Sequence, residues 1–301
     1  MLSPGFYRDM VNEFAAGVHR VHADNRVIAG GLFPFALNRP AAQAIGPLEF
    51  MRDLLCISNR LRPASHCKAP VHFDIWSHHP YTSGSPTHAA GDRNSVSINE
   101  LPRMRALLRA AVRFHRVVHS APQVRFWVTE FSWDTNPPDS HGVPQRLHAR
   151  WVAEALYRMW SAGVSLVTWF QLRDDATNGR PDSSTFQSGL YNRCAGGMAC
   201  DTPKPALRAF TFPFVAFRSG NRARVWGRLP PSTRGMVIVE QSVHRRWKRI
   251  GRLRSNRDGI FRRRLRLSGR GPLRARPERS GPTALPFSLV RPPDLRVNPF
   301  G

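Results

Sequence analysis

Two hydrophobic periodicities alternate along the first 217 residues of the chain. Apolar residues recur every three or four positions, as on one face of a helix, within residues 4–22, 47–61, 101–119 and 145–162. Short and nearly continuous apolar runs, the pattern of strands buried on both faces, occur at residues 26–31, 71–77, 124–130 and 164–170. Strands that alternate with helices at this spacing predict βα units and a parallel sheet.

Beyond residue 217 the pattern changes to short strand-like runs separated by Gly and Pro, without helical periodicity. The runs cover residues 223–228, 236–243, 247–253, 260–267 and 273–276. They predict a small antiparallel β-sandwich over residues 218–291, followed by a Pro-rich, poorly ordered tail over residues 292–301. Six residues are expected to face the interior of the sandwich: Val225, Val237, Val239, Trp247, Ile250 and Phe261.

The formal net charge of +25 is concentrated in the C-terminal region. Residues 218–301 contain 22 Lys and Arg against four Asp and Glu, a net charge of +18, which leaves +7 for residues 1–217. Only three of the 45 basic residues are lysine, a bias that a GC-rich coding sequence produces as readily as selection for phosphate binding. We therefore expect no specific nucleic-acid partner, although a nucleic-acid or anionic-polymer binder that uses the C-terminal arginines is an alternative. No apolar run reaches the roughly 18 residues of a transmembrane helix.

The four cysteines form two local pairs, Cys56 with Cys67 and Cys194 with Cys200. Neither pair has the Cys-x-x-Cys spacing of a zinc site, so we expect no metal. Two short-range disulfides in an exported protein fit the pattern, and four free thiols are the alternative. For Cys194 and Cys200, separated by a glycine-containing loop, a disulfide predicts Cα atoms less than about 7 Å apart.

The strongest candidate for chemistry is Glu130, which directly follows the apolar run at residues 124–129. In a parallel βα barrel, reactive groups lie where the strands end. Aromatic residues surround this carboxylate in the sequence: Trp127, Phe131 and Trp133. Aromatic faces stack on sugar rings, and a carboxylate can attack an anomeric carbon. Trp133 is interpreted either as a sugar-stacking platform or as a loop anchor.

The other three predicted strands also end in residues that suit a sugar site. The first ends in Gly30 and Gly31, the second leads to His79 and Tyr81, and the fourth ends in Trp169. His78 is interpreted as a solvated loop residue, and Trp76 as a core residue. Asp174 and Asp175 follow the fourth strand and either bind sugar hydroxyls or form a solvated acidic turn.

Taken in order, these strand ends resemble the C-terminal half of a clan A glycoside hydrolase barrel, of the kind found in families 5 and 39. The resemblance implies an α/β fold: a partial (β/α)8 TIM barrel, strands five to eight, followed by the small all-β sandwich. It implies that Glu130 is the nucleophile, that His79 and Tyr81 contact it, and that Trp169 forms the floor of the sugar-binding site. It also implies a retaining mechanism without a metal or cofactor, with a poly- or oligosaccharide as substrate.

One part of the family pattern is missing from the sequence. In this clan the acid/base Glu follows an Asn at the end of the fourth barrel strand, and here Asn12 and Glu13 lie within a predicted helix. We interpret Glu13 as a helical surface residue. The resemblance then implies that strands one to four, the acid/base and the signal peptide lie upstream. The chain would be an inactive, monomeric fragment of an extracellular enzyme. A non-catalytic carbohydrate- or cell-wall-binding protein is the alternative.

Overall fold

The computed structural model describes residues 3–39, 42–65, 67, 69–233 and 235–298. The α-helices of this part of the chain are α1 (Pro4–Val21), α2 (Pro47–Leu55), α3 (Leu101–Arg113), α4 (Gln145–Ser161) and α5 (Pro205–Thr211). None of them is both long enough and apolar enough to cross a membrane.

The strands are short in the first part of the chain and longer after residue 213. The first twelve are β1 (Ile28–Leu32), β2 (Leu37–Arg39), β3 (Ala42–Ala44), β4 (Val71–His72), β5 (Ile75–His78), β6 (Val117–Val118), β7 (Arg125–Val128), β8 (Thr135–Asn136), β9 (Val143–Pro144), β10 (Leu166–Val167), β11 (Tyr191–Asn192) and β12 (Thr202–Pro203). The last six are β13 (Phe214–Ser219), β14 (Arg222–Arg228), β15 (Met236–Val243), β16 (Arg246–Arg254), β17 (Ile260–Arg266) and β18 (Leu273–Pro277).

The chain divides into two compact units. One consists of Met1–Ser132 and Met159–Phe170 and is called the parallel-sheet unit below. The other consists of Trp133–Arg158 and Gln171–Gly301 and is called the mixed unit. The change to all-β structure predicted near residue 217 occurs at β13, because α5 is the last α-helix among the described residues. The predicted domain boundary at that point stays a prediction, since the compact units divide the chain elsewhere.

The parallel-sheet unit is built on a four-stranded sheet of order β1-β5-β7-β10. All three pairings are parallel, and β5 matches Ile75 with Ile28 of β1 and with Arg125 of β7. A helix follows each of the first three strands, so the four predicted strands and their parallel order are confirmed. The strands are shorter than predicted. Within this order β1 and β10 are the two edges.

Local capping ends two helices of this unit earlier than the periodicity predicts. Helix α2 stops at Leu55 because Cys56 adopts a left-handed backbone with φ 53°. The buried Arg8 of α1 donates to the carbonyls of Leu54 and Asp53 at 3.0 and 2.6 Å, and so caps the C-terminus of α2. Helix α3 ends at Arg113, two residues before His115, which has φ 54°.

Helix α1 forms where predicted but buries a different face. Ser3 caps its N-terminus by accepting from the Phe6 backbone N–H at 3.1 Å, and Pro4 occupies the first turn. Val11 and Ala15 are buried, whereas three apolar residues spaced four apart are largely exposed: Phe6, Met10 and Phe14. The apolar periodicity therefore predicted the helix correctly, but these three residues form an apolar stripe on its solvent-exposed side.

The mixed unit contains two three-stranded antiparallel sheets, β13-β14-β17 and β16-β15-β18. Four of the six residues expected to face inward are buried: Val225, Val237, Val239 and Phe261. Trp247 and Ile250, both on β16, are only half-buried. Gly251 of β16 packs against Leu265 of β17, where a Cβ would lie 2.9 Å from the leucine side chain. The two sheets therefore contact each other closely at this point.

Both predicted disulfides are present, with Cα–Cα distances of 5.2 Å for Cys56–Cys67 and 5.7 Å for Cys194–Cys200. Residues 292–298 of the predicted tail have no regular secondary structure, and residues 299–301 lie outside the described part of the chain.

Candidate functional site

Glu130 lies just past the C-terminal end of β7, in the parallel-sheet unit. Its side chain is 36% exposed. Oxygen Oε1 accepts a hydrogen bond from the Tyr81 hydroxyl at 2.7 Å, whereas Oε2 lies 3.7 Å from His79 Nδ1, beyond hydrogen-bond distance. One oxygen is therefore held in place and the other is left open. The structure thus brings together three predicted site residues.

The strand pairing explains how His79 and Tyr81 reach Glu130. His78 of β5 pairs with Val128 of β7, so both strands end at the same level of the sheet. The chain then turns, because the Tyr81 N–H donates to the His79 carbonyl at 3.0 Å. This turn directs the buried phenol toward the carboxylate.

His79 is held beside Glu130 as a neutral ring. Burial lowers the pKa of His79, and the negative charge of Glu130 only partly opposes that effect. Its Nε2 lies 3.1 Å from the hydroxyl of Thr129, the residue before the carboxylate. His79 therefore contributes an uncharged polar side chain to the site and does not neutralise the negative charge of Glu130.

The end of β1 approaches the same edge of the sheet. Gly30 has φ 103°, and a Cβ there would lie 2.2 Å from the Ser77 carbonyl oxygen, so only glycine fits. The Gly30 N–H donates to the Tyr7 hydroxyl at 2.9 Å. Gly31 comes next, and a Cβ on it would lie 3.9 Å from His79 Nε2. The end of β1 therefore lies close enough to the imidazole that a side chain at position 31 would contact it.

Trp169 lies after β10, at the fourth strand end. Its half-buried ring packs edge-on against Phe131, with 4.9 Å between ring centroids. The Phe170 N–H donates to the Phe131 carbonyl at 3.2 Å, and the Thr168 hydroxyl donates to the Thr129 carbonyl. These bonds join the segments that follow β7 and β10. Trp169 therefore belongs to the same strand-end cluster as Glu130.

Two contributors to this cluster were missed in the sequence. Thr129 contacts His79, and Tyr7 of α1 fixes the end of β1. Thr129 could have been identified from the sequence, because it directly precedes the candidate carboxylate. Tyr7 gave no such signal, because its partner is a backbone N–H distant in the sequence.

Trp133 does not offer an exposed face to a sugar in this structure. It is 1% exposed in the mixed unit, where it packs against Trp151 with 5.5 Å between ring centroids and against His148 with 6.2 Å. Of its two interpretations, the structure agrees with the anchoring one. His78 is also buried rather than solvated, and burial lowers its pKa to about 4. Trp76 lies in the core as expected.

Asp174 is neither a solvated turn residue nor an open sugar ligand. It is buried in the mixed unit and contacts the fully buried Lys204 ammonium at 2.6 Å. Lys204 also donates to the Thr135 hydroxyl at 2.7 Å and to the Gln187 carbonyl at 2.9 Å. These four residues form what is called the Lys204 network below. Their contacts give Asp174 a structural role.

Among the described residues, no group of three or more His, Cys, Asp or Glu side chains is arranged to hold a metal ion.

No protein-family model and no curated protein matches the chain. Among solved structures it is similar to a Paenibacillus polymyxa xyloglucanase from glycoside hydrolase family 44, with 10% sequence identity and a TM-score of 0.37 over 88% of this chain and 59% of that chain. A family 44 endoglucanase from Clostridium acetobutylium ATCC 824 gives 12% identity and a TM-score of 0.36, covering 88% of this chain and 60% of that chain.

The chain spans about three fifths of the length of these structures, which belong to family 44 and not to families 5 or 39. A likeness at this identity and TM-score carries no argument about activity. The function proposed below depends on the contacts of the chain's own residues.

Proposed function

We propose that this chain carries the nucleophile half of a retaining glycoside hydrolase site, in which Glu130 attacks the anomeric carbon of a sugar. The observation that carries the proposal is the arrangement of the Glu130 carboxylate at the strand end. Tyr81 orients Oε1 at 2.7 Å, and Oε2 is open because His79 stays at 3.7 Å. A carboxylate that is oriented, partly exposed and not fully hydrogen-bonded suits nucleophilic attack on carbon.

The residues around Glu130 support a sugar as the reacting group. Trp169 contributes a half-buried aromatic ring braced by Phe131, and aromatic rings of this kind stack on the apolar face of a sugar. The neutral His79 and the Tyr81 hydroxyl supply polar contacts without adding a positive charge. An uncharged polyhydroxyl substrate fits these surroundings better than an anionic one.

A retaining hydrolase also needs an acid/base carboxylate about 5 Å from the nucleophile. Glu13 is the nearest sequence match, but it lies exposed on α1. We infer that the acid/base comes from further βα units that complete a barrel with this one. Two features support this inference: β1 and β10 are edges of the sheet, and α1 exposes the apolar stripe of Phe6, Met10 and Phe14. A neighbouring βα unit would cover both.

The proposal predicts an unusual reactivity for the chain as given. Ordinary glycosides need protonation of the leaving group and are not cleaved. An activated glycosyl fluoride needs no acid, so Glu130 displaces fluoride and forms a glycosyl ester, which persists because no base activates water. The two disulfides support an extracellular location for the protein.

The test is covalent trapping on residues 1–301 with a panel of 2-deoxy-2-fluoro-β-glycosyl fluorides of common hexoses and pentoses. We expect one panel member to add one sugar per chain and to release one equivalent of fluoride, with the ester mapped to Glu130 by peptide mass spectrometry. Glu130→Gln should abolish the label, and Glu13→Gln, a matched change on an exposed helix, should leave it intact.

A label on another carboxylate would overturn the assignment of Glu130. Binding of an oligosaccharide without labelling by any panel member would favour the alternative function, a non-catalytic carbohydrate-binding protein.

A further inference from the structure

In the mixed unit, three arginines of one antiparallel sheet form ion pairs, whereas directly opposed arginines of the other sheet do not. In the β16-β15-β18 sheet, Arg274 and Arg276 contact Glu240 at 2.8 and 3.1 Å. Arg252 contacts both oxygens of Glu278 at 2.6 and 2.7 Å. These three arginines are therefore neutralised by carboxylates, Glu240 in β15 and Glu278 directly after β18.

The β13-β14-β17 sheet does the opposite. Arg222 lies directly opposite Arg266, and Arg224 lies directly opposite Arg264. Directly opposed residues of antiparallel strands share one face, as do residues two apart on a strand. All four side chains are exposed, and within the described part of the chain none of them forms an ion pair. These four residues are called the arginine face below.

Folding alone does not account for the arginine face. Like charges directly opposite each other destabilise a sheet, since their Cβ atoms lie about 5 Å apart. Neighbouring arginines on one strand lie roughly 7 Å apart, so the four guanidinium groups form a dense, uncompensated positive patch. A GC-rich coding sequence explains arginine in place of lysine. It does not explain why two pairs of arginines lie directly opposite each other on one face without a carboxylate partner.

We propose that the arginine face binds an anionic polysaccharide through its carboxylate or sulfate groups. The planar guanidinium fork matches such groups with two parallel hydrogen bonds. Bound anions would also remove the repulsion between the opposed pairs. The proposal uses none of the geometry around Glu130, so its failure and that of the nucleophile assignment are separate.

Two observations favour a polysaccharide over single-stranded nucleic acid. Trp226, on the same face two positions from Arg224, is 2% exposed and packs against Tyr157 with 5.6 Å between ring centroids. It is not available as the stacking platform that single-stranded nucleic acid uses. The disulfides Cys56–Cys67 and Cys194–Cys200 are typical of oxidising compartments and rare in cytosolic and nuclear proteins, which share their compartment with the cell's nucleic acid.

The test compares binding of the full chain to polygalacturonate, heparin, single-stranded DNA and uncharged dextran by calorimetry between about 50 and 200 mM salt. The test variant carries Arg→Gln at positions 222, 224, 264 and 266. A matched control removes the same charge from exposed positions of β16, by changing Arg246, Lys248, Arg249 and Arg254 to Gln. Thermal unfolding of both variants checks that they fold, and a double variant of Arg222 and Arg266 replaces the quadruple one if it does not.

We expect the wild type to bind polygalacturonate or heparin, with affinity that falls as salt rises, and not to bind dextran. The test variant should lose at least about tenfold in affinity, and its log affinity should fall less steeply with log salt, because fewer guanidinium contacts release counterions. The control should keep most of the affinity. Equal losses in both variants, no binding to either polysaccharide, or tighter binding to single-stranded DNA would each overturn the proposal.

Discussion

Two carboxylates of the molecule, Glu130 and Asp174, suit different roles, although they look alike in the sequence. At the end of β7, Glu130 is partly exposed and has one oxygen held by Tyr81 and one left open. In the mixed unit, Asp174 is buried against Lys204, and the ammonium has three acceptors within 2.9 Å. The comparison teaches that exposure and unfilled hydrogen-bonding capacity separate a carboxylate fit for chemistry from one that stabilises the fold.

Breaking the Lys204 network should produce the largest change in stability. Lys204→Met leaves Asp174 as an unpaired buried charge, which costs about 3–5 kcal/mol in the free energy of unfolding. Glu130→Gln, at a partly exposed position, should change it by no more than about 0.5 kcal/mol. Denaturant unfolding measures both values.

Lys204→Met combined with Asp174→Asn is the control, because it removes both charges. It should be less destabilising than Lys204→Met alone. If Lys204→Met lowers the free energy of unfolding by less than Glu130→Gln does, the structural role assigned to the Lys204 network is wrong.

The pH dependence of stability should come from two buried titratable residues of the mixed unit, Asp134 and His148. Burial, with help from the charge of Asp139, raises the pKa of Asp134 to about 7. Between about pH 4 and 7 the native state thus holds a proton that the unfolded chain has released, so this group makes stability fall as pH rises. Burial and the charge of Lys204 lower the pKa of His148 to about 3, which acts in the opposite direction.

Comparing wild type with Asp134→Asn isolates the first effect, since His148 is present in both proteins. The stability of the variant relative to wild type should rise by about 2–4 kcal/mol from pH 4 to pH 8, at about 1.4 kcal/mol per unit of pKa shift. Urea unfolding at several pH values measures the difference. A difference that is constant with pH would contradict the raised pKa.

At the Glu130 site, removing the Tyr81 hydroxyl should slow the labelling reaction. Tyr81→Phe removes the hydrogen bond that orients Oε1 of Glu130, worth about 1 kcal/mol, so the rate of labelling by a glycosyl fluoride should fall roughly fivefold. The rate of fluoride release measures this effect. Tyr191→Phe in the mixed unit is the matched control and should label at the wild-type rate.

Only a small effect on stability is expected on the exposed side of α1. Phe6, Met10 and Phe14 are 57%, 50% and 60% exposed, so changing all three to Ser should alter the free energy of unfolding by no more than about 1 kcal/mol. The same variant should associate less with itself, as measured by light scattering. Val11→Ser, on the buried side of the helix, should cost more than the triple change. If it costs less, the assignment of the two faces is incorrect.

The repeating apolar pattern was enough to predict the parallel sheet and its helices, because buried strands and amphipathic helices each impose a period on the sequence. Helix ends were less predictable. Leu55 and Arg113 precede residues with positive φ, at Cys56 and His115, which no hydrophobic pattern encodes.

Which residues belong to the candidate site was only partly predictable. Glu130, Tyr81 and His79 follow strand ends that the parallel order brings together. Trp133 also follows a strand end but is buried. The sequence around an aromatic residue does not distinguish a side chain that packs in the core from one that faces a ligand. The Lys204 network could not be found from spacing, because its four residues come from four separate segments of the chain.

The stereochemistry of an azide reaction tests most directly whether Glu130 is a nucleophile. With a 2,4-dinitrophenyl β-glycoside of the sugar that labels the protein, and with azide present, attack by Glu130 and then by azide inverts the anomeric carbon twice. We predict a β-glycosyl azide by proton NMR from the wild type and from Glu13→Gln, and none from Glu130→Gln. Formation of the α-azide would show a single displacement by azide itself, and the account of Glu130 as the attacking group would then be wrong.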